Sequence, residues 1–122
     1  SGDYANTLDV KKGGTAAIVQ MARLYALSAG IDAVGTRLRL QSAASAGAVS
    51  ERGAEDLIDA FDFLTTIALR QHAEQLRRGQ KPNYHIDPKE LGKLDREHLR
   101  DAFQIIKGMQ SALSTQYPVR SM

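Results

Sequence analysis

Apolar residues recur along most of the chain at the three- and four-residue spacing of an amphipathic helix. Val, Ile and Thr do not alternate with polar residues over any stretch, whereas Ala, Leu, Glu, Gln and Arg are abundant. A strand with one buried face needs a period of two, and a helix with one buried face needs a period near 3.6. The pattern therefore predicts an all-α protein.

The first half of the pattern predicts two helices that each end at a glycine. The first is expected over about 15–28 and the second over about 33–46, with Gly30 and Gly47 after them. Glycine is common just beyond a helix because it adopts the left-handed backbone conformation without strain. The expected apolar positions are Ile18, Val19, Ala22, Tyr25, Ala26 and Ala29 in the first helix, and Leu38 and Leu40 in the second.

A third, longer helix is predicted between Ser50 and Gly79. Ser50 is a suitable N-cap, and the carboxylates that follow it favour the positive end of the helix dipole. The helix ends with Arg77 and Arg78 in its last turn. Its apolar positions are Leu57, Ile58, Phe61, Leu64, Ile67, Ala68 and Leu76.

The last part of the chain predicts a short helical turn and then a fourth helix. Asp87 is a suitable N-cap for the turn, with Pro88 at its first position. The fourth helix is expected from about Asp95 to the residue before Pro118. Its apolar positions are Leu99, Ala102, Phe103, Ile106, Met109, Leu113 and Tyr117.

These elements predict an antiparallel four-helix bundle with a short extra helical turn between helices 3 and 4. We expect residues 1–8 to be a tag remnant and an N-terminal tail. Residues 9–122 are expected to form a single helical-bundle domain, which is a fragment of a larger protein. Any one of the apolar stripes is explained by packing alone.

Composition and charge exclude several classes of protein. The chain of 122 residues has no cysteine, which excludes disulfides, thiolate catalysis and cysteine-ligated zinc. Its 16 basic and 14 acidic residues are too balanced for a protein that coats nucleic acid, so no nucleic-acid partner is expected. No apolar run is long enough to span a bilayer, so no membrane partner is expected either. We expect a cytoplasmic location.

No motif in the chain predicts catalysis or a metal site. The three histidines lack the spacing of a zinc motif, and Asp95 with His98 is only a single weak analogue of the paired motif of a di-metal bundle. No nucleophile elbow occurs. Arg78 and His85 have the separation seen in some helical ribonucleases, but Gly79 and Pro82 lie between them and break the helix. Four carboxylates are expected on the solvated face of the third helix, at Glu55, Asp56, Asp59 and Asp62.

The stretch LDVKKGG at 8–14 leaves two alternatives open. Lysines and glycines before a helix can form a phosphate cradle, but here Lys11 and Lys12 precede the glycines, which reverses the order of a P-loop. The second alternative is a structural entry turn. The basic residues are similarly open, because they either converge on a phosphate or an acidic partner or are scattered solvated charges. They are Lys11, Lys12, Arg23, Arg37, Arg39 and Arg70. Arg70 follows apolar residues, so we expect it to snorkel or to have a partner.

The order of four stretches resembles one known family. They read LDVKKGGTAAIVQMARLYALSAGI, TRLRLQSAASAGAVSERGAEDLIDAFDFL, ALRQHAEQLRRGQKP and IDPKELGKLDREHLRDAFQIIKGMQ. The family is the putative nucleotidyltransferase substrate-binding domain, a helical domain at the C-terminal end of nucleotidyltransferases that are often joined to CBS and cyclic-nucleotide-binding domains. The resemblance covers about 9–117.

The resemblance implies a domain that is not itself an enzyme. It would help to position the acceptor substrate or the nucleotide in a bacterial signal-transduction protein. No cofactor is expected in this fragment, whereas Mg²⁺ and a nucleoside triphosphate are expected in the adjoining catalytic domain. The expected partners are the adjoining nucleotidyltransferase and CBS or cyclic-nucleotide-binding domains of the same chain. A second copy in a homodimer is a further candidate partner. The alternative is a bundle for protein–protein interaction or dimerisation without ligand binding, using alanine-rich faces at Ala43, Ala44 and Ala46.

The resemblance and the basic residues together single out candidate positions, but no catalytic or metal-binding residue. The candidates for substrate binding are Lys11, Arg23, Thr36, Arg37, Arg70 and His72. The chain departs from the family pattern in three places. The family tends to have an arginine at Ala68, Arg-His-Gln at 70–72, and Asp-Asn at Asn83 and Tyr84. If this polar cluster binds substrate, the departures affect which substrate is bound.

Overall fold

Four helices form most of the protein. The computed structural model describes residues 5–116, so the predictions for Tyr117 and Pro118 lie outside the described residues. The described part confirms a mainly helical fold with four helices, as the apolar periodicity predicted. The helices are α1 (Ala16–Ser28), α2 (Thr36–Ser45), α3 (Glu51–Arg77) and α4 (Lys93–Gln116).

Two short strands add an element that the pattern did not predict. β1 (Leu8–Asp9) pairs antiparallel with β2 (His85–Ile86), with Leu8 opposite Ile86. The sequence pattern did not indicate these four residues as strands, because two residues are too few to show alternation. The division of the chain at residue 8 stays a prediction, although Leu8 itself belongs to this pair.

The helix boundaries follow local signals closely. The Ser50 hydroxyl caps α3 by accepting a hydrogen bond from the Gly53 N–H at 2.9 Å. The Asp87 carboxylate accepts from the Lys89 N–H at 3.0 Å, and the predicted turn is a 3₁₀ helix at Pro88–Glu90. These caps confirm the sequence signals, because a side-chain oxygen at the N-cap satisfies an otherwise free backbone donor.

Two boundaries differ from the prediction. α2 begins at Thr36 rather than near residue 33, because Gly35 has a φ of 95°, which lies outside the helical region. α4 begins at Lys93, two residues before Asp95, so Asp95 lies inside the first turn.

All four helices contribute side chains to one core. The largest fully buried side chains are Val10, Ile18, Leu40, Leu57, Leu64, Leu99 and Ile106. Burial of one such side chain contributes roughly 1.5–3 kcal/mol to stability. Leu38 and Leu76 were predicted at apolar positions but are 51% and 62% exposed. Leu38 lies about 200° around the helix from buried Leu40, so α2 cannot bury both against the same neighbours.

Ion pairs on the surface of α3 join it to its neighbours. Arg70 Nη2 lies 2.6 Å from Asp95 Oδ2 of α4, so the arginine has a partner rather than snorkelling. His98 Nε2 of α4 lies 3.2 Å from Asp59 Oδ2, and Asp62 pairs with Arg37 of α2. Both α3 carboxylates are exposed, as predicted for a solvated face. None of the described helices is long and apolar enough to cross a bilayer.

Candidate functional site

A groove of about 500 Å³ opens between α1 and α3, and we call it the α1–α3 groove. Its volume falls within the range of small-molecule sites. One wall is formed by the segment that leads into α1 and by α1 itself, through Lys11, Thr15, Ala16, Val19, Gln20 and Arg23. The other wall is formed by α3 and the loop after it, through Phe61, Thr65, Ala68, Leu69, His72 and Tyr84.

Small side chains at the seam between the two helices leave this groove open. The space between α1 and α3 is not filled, because the side chains there include those of Ala16, Thr65 and Ala68, which are short. α1 packs mainly on α2, whereas α3 packs on α4 and α2. The two helices that form the walls are therefore held by other neighbours.

The segment before α1 is a π-helical turn at Lys11–Thr15, in which the Thr15 N–H donates to the Val10 carbonyl at 2.9 Å. The Asp9 carboxylate accepts from the N–H groups of Lys11 and Lys12 at 3.0 and 2.8 Å. These backbone donors are thus already bonded to an anion of the same turn, which favours the entry-turn alternative over the phosphate cradle.

Gly14 explains why this turn contains glycine. A Cβ at this position would lie 3.0 Å from Leu64 Cδ1 and 3.6 Å from Phe103 Cζ. Such a contact is tighter than ordinary packing, so a side chain would push the turn away from α3. Close approach of the backbone to Leu64 and Phe103 is one reason for glycine at this position.

One end of the groove is built around the Tyr84 ring. The Lys11 ammonium lies 5.0 Å from the ring centroid, within the range of a cation–π contact. The His72 ring meets Tyr84 edge-on, with the two centroids 4.6 Å apart. Lys11 and His72 are therefore brought to the same end of the groove from opposite walls.

His72 carries the most informative atom of the site. Its Nε2 is buried, and it is the one buried side-chain nitrogen or oxygen in the described residues without a hydrogen-bond partner. A buried polar atom without a partner costs about 1–3 kcal/mol. A hydrogen bond to Nε2 would remove this cost.

Two glutamines of α3 hold Tyr84 in position, and the sequence interpretation missed both. Gln71 Nε2 donates to the His85 carbonyl at 2.8 Å and contacts the carbonyl and the side-chain oxygen of Asn83 at 3.3 Å. Gln75 Oε1 accepts from the Asn83 N–H at 3.0 Å. The available signal was two glutamines four residues apart, on one face of a helix that is followed by a polar loop.

The structure brings three of the six candidate residues together. Lys11, Arg23 and His72 line the α1–α3 groove. Arg70 lies outside it, paired with Asp95, and its cavity also contains Arg78 and Glu74. Arg37 pairs with Asp62, and Thr36 begins α2 beside it. A binding role for any of the six stays a prediction.

The charge of the groove has one sign. Lys11 and Arg23 line the groove, and neither aspartate nor glutamate does. The described residues contain no group of three or more side chains suited to hold a metal ion. The arrangement is suited to binding an anion, and it provides no paired acid and base for catalysis.

The arrangement gives no support to a ribonuclease. α3 ends at Arg77, and Arg78 Nε lies 2.7 Å from Glu74 Oε2. His85 lies in β2, where its Nδ1 is 3.4 Å from the Thr7 hydroxyl. The two residues of that alternative therefore have separate partners.

Comparison with known proteins agrees with the resemblance. The family model described as "putative nucleotidyltransferase substrate binding domain" matches residues 1–117. No curated protein and no solved structure matches the chain. Of the positions at which the sequence predicts a departure from the family pattern, Ala68, His72 and Tyr84 line the groove. Since the family match covers nearly the whole chain, the protein belongs to the family of putative nucleotidyltransferase substrate-binding domains.

Proposed function

We propose that this chain is a non-catalytic helical domain that holds the acceptor substrate or the nucleotide of a nucleotidyltransferase in the α1–α3 groove. The observation that carries the proposal is that the groove brings Lys11, Arg23 and His72 together in a lining without a carboxylate. The family description supports a substrate-binding role that is accessory to catalysis.

The wider context belongs to the same proposal. The catalytic domain would adjoin this one in a longer chain and would hold Mg²⁺ and a nucleoside triphosphate. CBS or cyclic-nucleotide-binding domains would supply the regulatory input in a bacterial, cytoplasmic signal-transduction protein. The support for this context is the type of family to which the domain belongs.

The antiparallel arrangement of the bundle is also a proposal, and contacts between helices support it. Arg70 near the end of α3 pairs with Asp95 at the start of α4. Met109 in the second half of α4 lies against Gly53 at the start of α3, where an added Cβ would be 2.8 Å from Met109 Cε. These contacts are those of two neighbouring helices that run in opposite directions.

Titration of the isotope-labelled chain with nucleotides tests the binding function. We would add ATP, UTP, CTP, GTP and cyclic AMP and follow the backbone amide signals. Saturable shifts at Lys11, Arg23, His72 and Tyr84 are the expected result. His72→Gln is the test variant. Its matched control is His98→Gln, because His98 stacks on Phe63 away from the groove. Loss of binding in both variants, or saturable shifts that avoid the groove, would contradict the proposal.

A second candidate function is docking or dimerisation. Ala43, which was expected on a docking face, is fully buried in the core of this chain and is not available. Leu27 and Val34 near the α1–α2 connection are instead 77% and 83% exposed. A docking surface of this kind would lie at these two side chains, since contact with another surface would bury them. Sedimentation of the wild type and of Leu27→Lys tests this candidate, because a monomer at high concentration in both would remove self-association.

A further inference from the structure

The α1–α3 groove has two ends and an apolar middle, which limits the ligands that it can hold. Lys11 and His72 both contact Tyr84 and mark one end. Arg23 lies eight residues beyond Thr15 on α1, which corresponds to about 12 Å of helix, and it marks the other end. Ala16, Val19, Ala68 and Leu69 line the walls between the ends.

The charges of the groove select an anionic ligand. Lys11 and Arg23 are positive, and no carboxylate lines the groove to oppose them. The His72 ring lies at the same end as Lys11, edge-on to Tyr84. An anionic group at this end would therefore gain a contact with the Lys11 ammonium beside the His72 imidazole.

The middle of the groove selects against a ligand that is charged along its length. The lining between the ends is mostly apolar, with Gln20 and Thr65 as its polar side chains, so a phosphate there would exchange most of its hydration for few hydrogen bonds. A triphosphate also carries Mg²⁺, which prefers carboxylate and other oxygen ligands. The groove contains no carboxylate, and its two cations would repel the metal ion.

The Arg23 end is suited to a planar, uncharged group. The guanidinium stacks on flat π systems as well as pairing with anions. Phe61 is a partly buried aromatic side chain on the opposite wall of the groove. A ring between these walls would be in contact with apolar and π surfaces, without needing a second charge.

We propose that the ligand of the α1–α3 groove carries one anionic group, a phosphate or a carboxylate, on an aromatic or apolar body. The anionic group lies at the Lys11–His72 end, and the body extends towards Arg23. The groove then holds the acceptor of the nucleotidyl group and not the nucleoside triphosphate. This inference rests on the proposed function and specifies the substrate class for the same site.

Five probes test the inference by calorimetry and by the side-chain nitrogen signals of His72. They are adenosine 5′-monophosphate, adenosine, Mg·ATP, inorganic phosphate and phenylacetate. The expected result is saturable binding of the monophosphate or of phenylacetate, at least about tenfold tighter than adenosine, inorganic phosphate and Mg·ATP. Which of the two binds more tightly distinguishes a phosphate from a carboxylate ligand.

Two other outcomes would each have a separate meaning. If Mg·ATP binds in the groove as tightly as the monophosphate or more tightly, the inference fails while the proposed substrate-binding function stands. If no probe shifts any groove residue at millimolar concentration, both the inference and the binding function of this groove fail.

A lysine variant tests the orientation of the ligand. Lys11→Gln should weaken the monophosphate or phenylacetate by about tenfold and leave adenosine unchanged. Lys81→Gln is the matched control, because Lys81 is an exposed lysine in the loop after α3 and does not line the groove. Both lysines are exposed, so neither change should prevent folding. Equal weakening of adenosine and the anionic probe by Lys11→Gln would place the anionic group elsewhere and overturn the orientation.

Discussion

α3 presents two very different sides to its neighbours. Towards α4, it packs large side chains around buried Leu99 and Ile106, and its surface is joined to α4 by the Arg70–Asp95 ion pair. Towards α1, the seam contains Thr65 and Ala68 and leaves the groove open. Both sides have apolar residues at helical spacing. α3 packs closely on α4, whereas α1 packs mainly on α2 and leaves a groove beside α3. Helical spacing of apolar residues therefore does not by itself decide which seam becomes core.

The largest expected effect is a difference in the free energy of unfolding between alanine variants of two leucines in α3. Leu64 is fully buried, so Leu64→Ala should lower the free energy of unfolding by about 2–5 kcal/mol. Leu69 is 62% exposed at the groove, so Leu69→Ala should change it by less than about 0.5 kcal/mol. Urea unfolding measures both. Similar losses in the two variants would show that the groove is part of the core.

The next effect tests whether the open seam is used for binding. Ala16→Leu should fill part of the groove and weaken the ligand that titration identifies by at least about tenfold, roughly 1.4 kcal/mol. The free energy of unfolding should change by less than about 1 kcal/mol, because the added side chain enters open space. Ala73→Leu is the control, since Ala73 is exposed on α3 and does not line the groove. Unchanged affinity in Ala16→Leu would assign binding to another surface.

A smaller effect is expected at the glutamine that holds the Tyr84 loop. Gln71→Ala removes the donor to the His85 carbonyl and should cost about 1 kcal/mol. Hydrogen exchange should become faster at the Asn83 and His85 amides and stay unchanged in α2. Gln104→Ala provides the comparison, because Gln104 is an exposed residue of α4. If exchange at 83–85 is the same in both variants, the loop is held by its other contacts.

The smallest effect concerns the side of α3 that packs against α4. A double-mutant cycle of Arg70→Ala and Asp95→Ala should give a coupling energy of about 0.2–1 kcal/mol, because both side chains are well exposed. The coupling should fall as salt concentration rises. Arg70→Ala should also leave ligand affinity in the groove unchanged. A loss of affinity in this variant would restore Arg70 to the binding site.

Local signals in the sequence predicted the elements of the fold well. The caps at Ser50 and Asp87 depend on a side chain and a backbone N–H two or three residues away, so they can be read without a tertiary structure. The β1–β2 pair could not be predicted in this way. Leu8 and Ile86 are far apart in sequence and meet only after the helices have packed.

The candidate site was predicted in part, and helix geometry explains the misses. Arg70 and His72 are two residues apart, so they project about 200° from each other around α3. One reaches Asp95 and the other reaches the groove. Arg37 likewise pairs with Asp62 and does not line the groove. Residue type identified possible binding groups, but the rotation of each helix selected among them.

The sequence by itself determined four helices, their caps and their apolar faces, because these depend on neighbours within a few residues. Only the tertiary structure decided that α1 and α3 leave a groove between them and that Lys11 and His72 share the Tyr84 ring. The open groove and the unpartnered His72 nitrogen arise from packing between distant segments. The physical reason is that a cavity is a property of the surfaces that fail to touch, and no single segment specifies it.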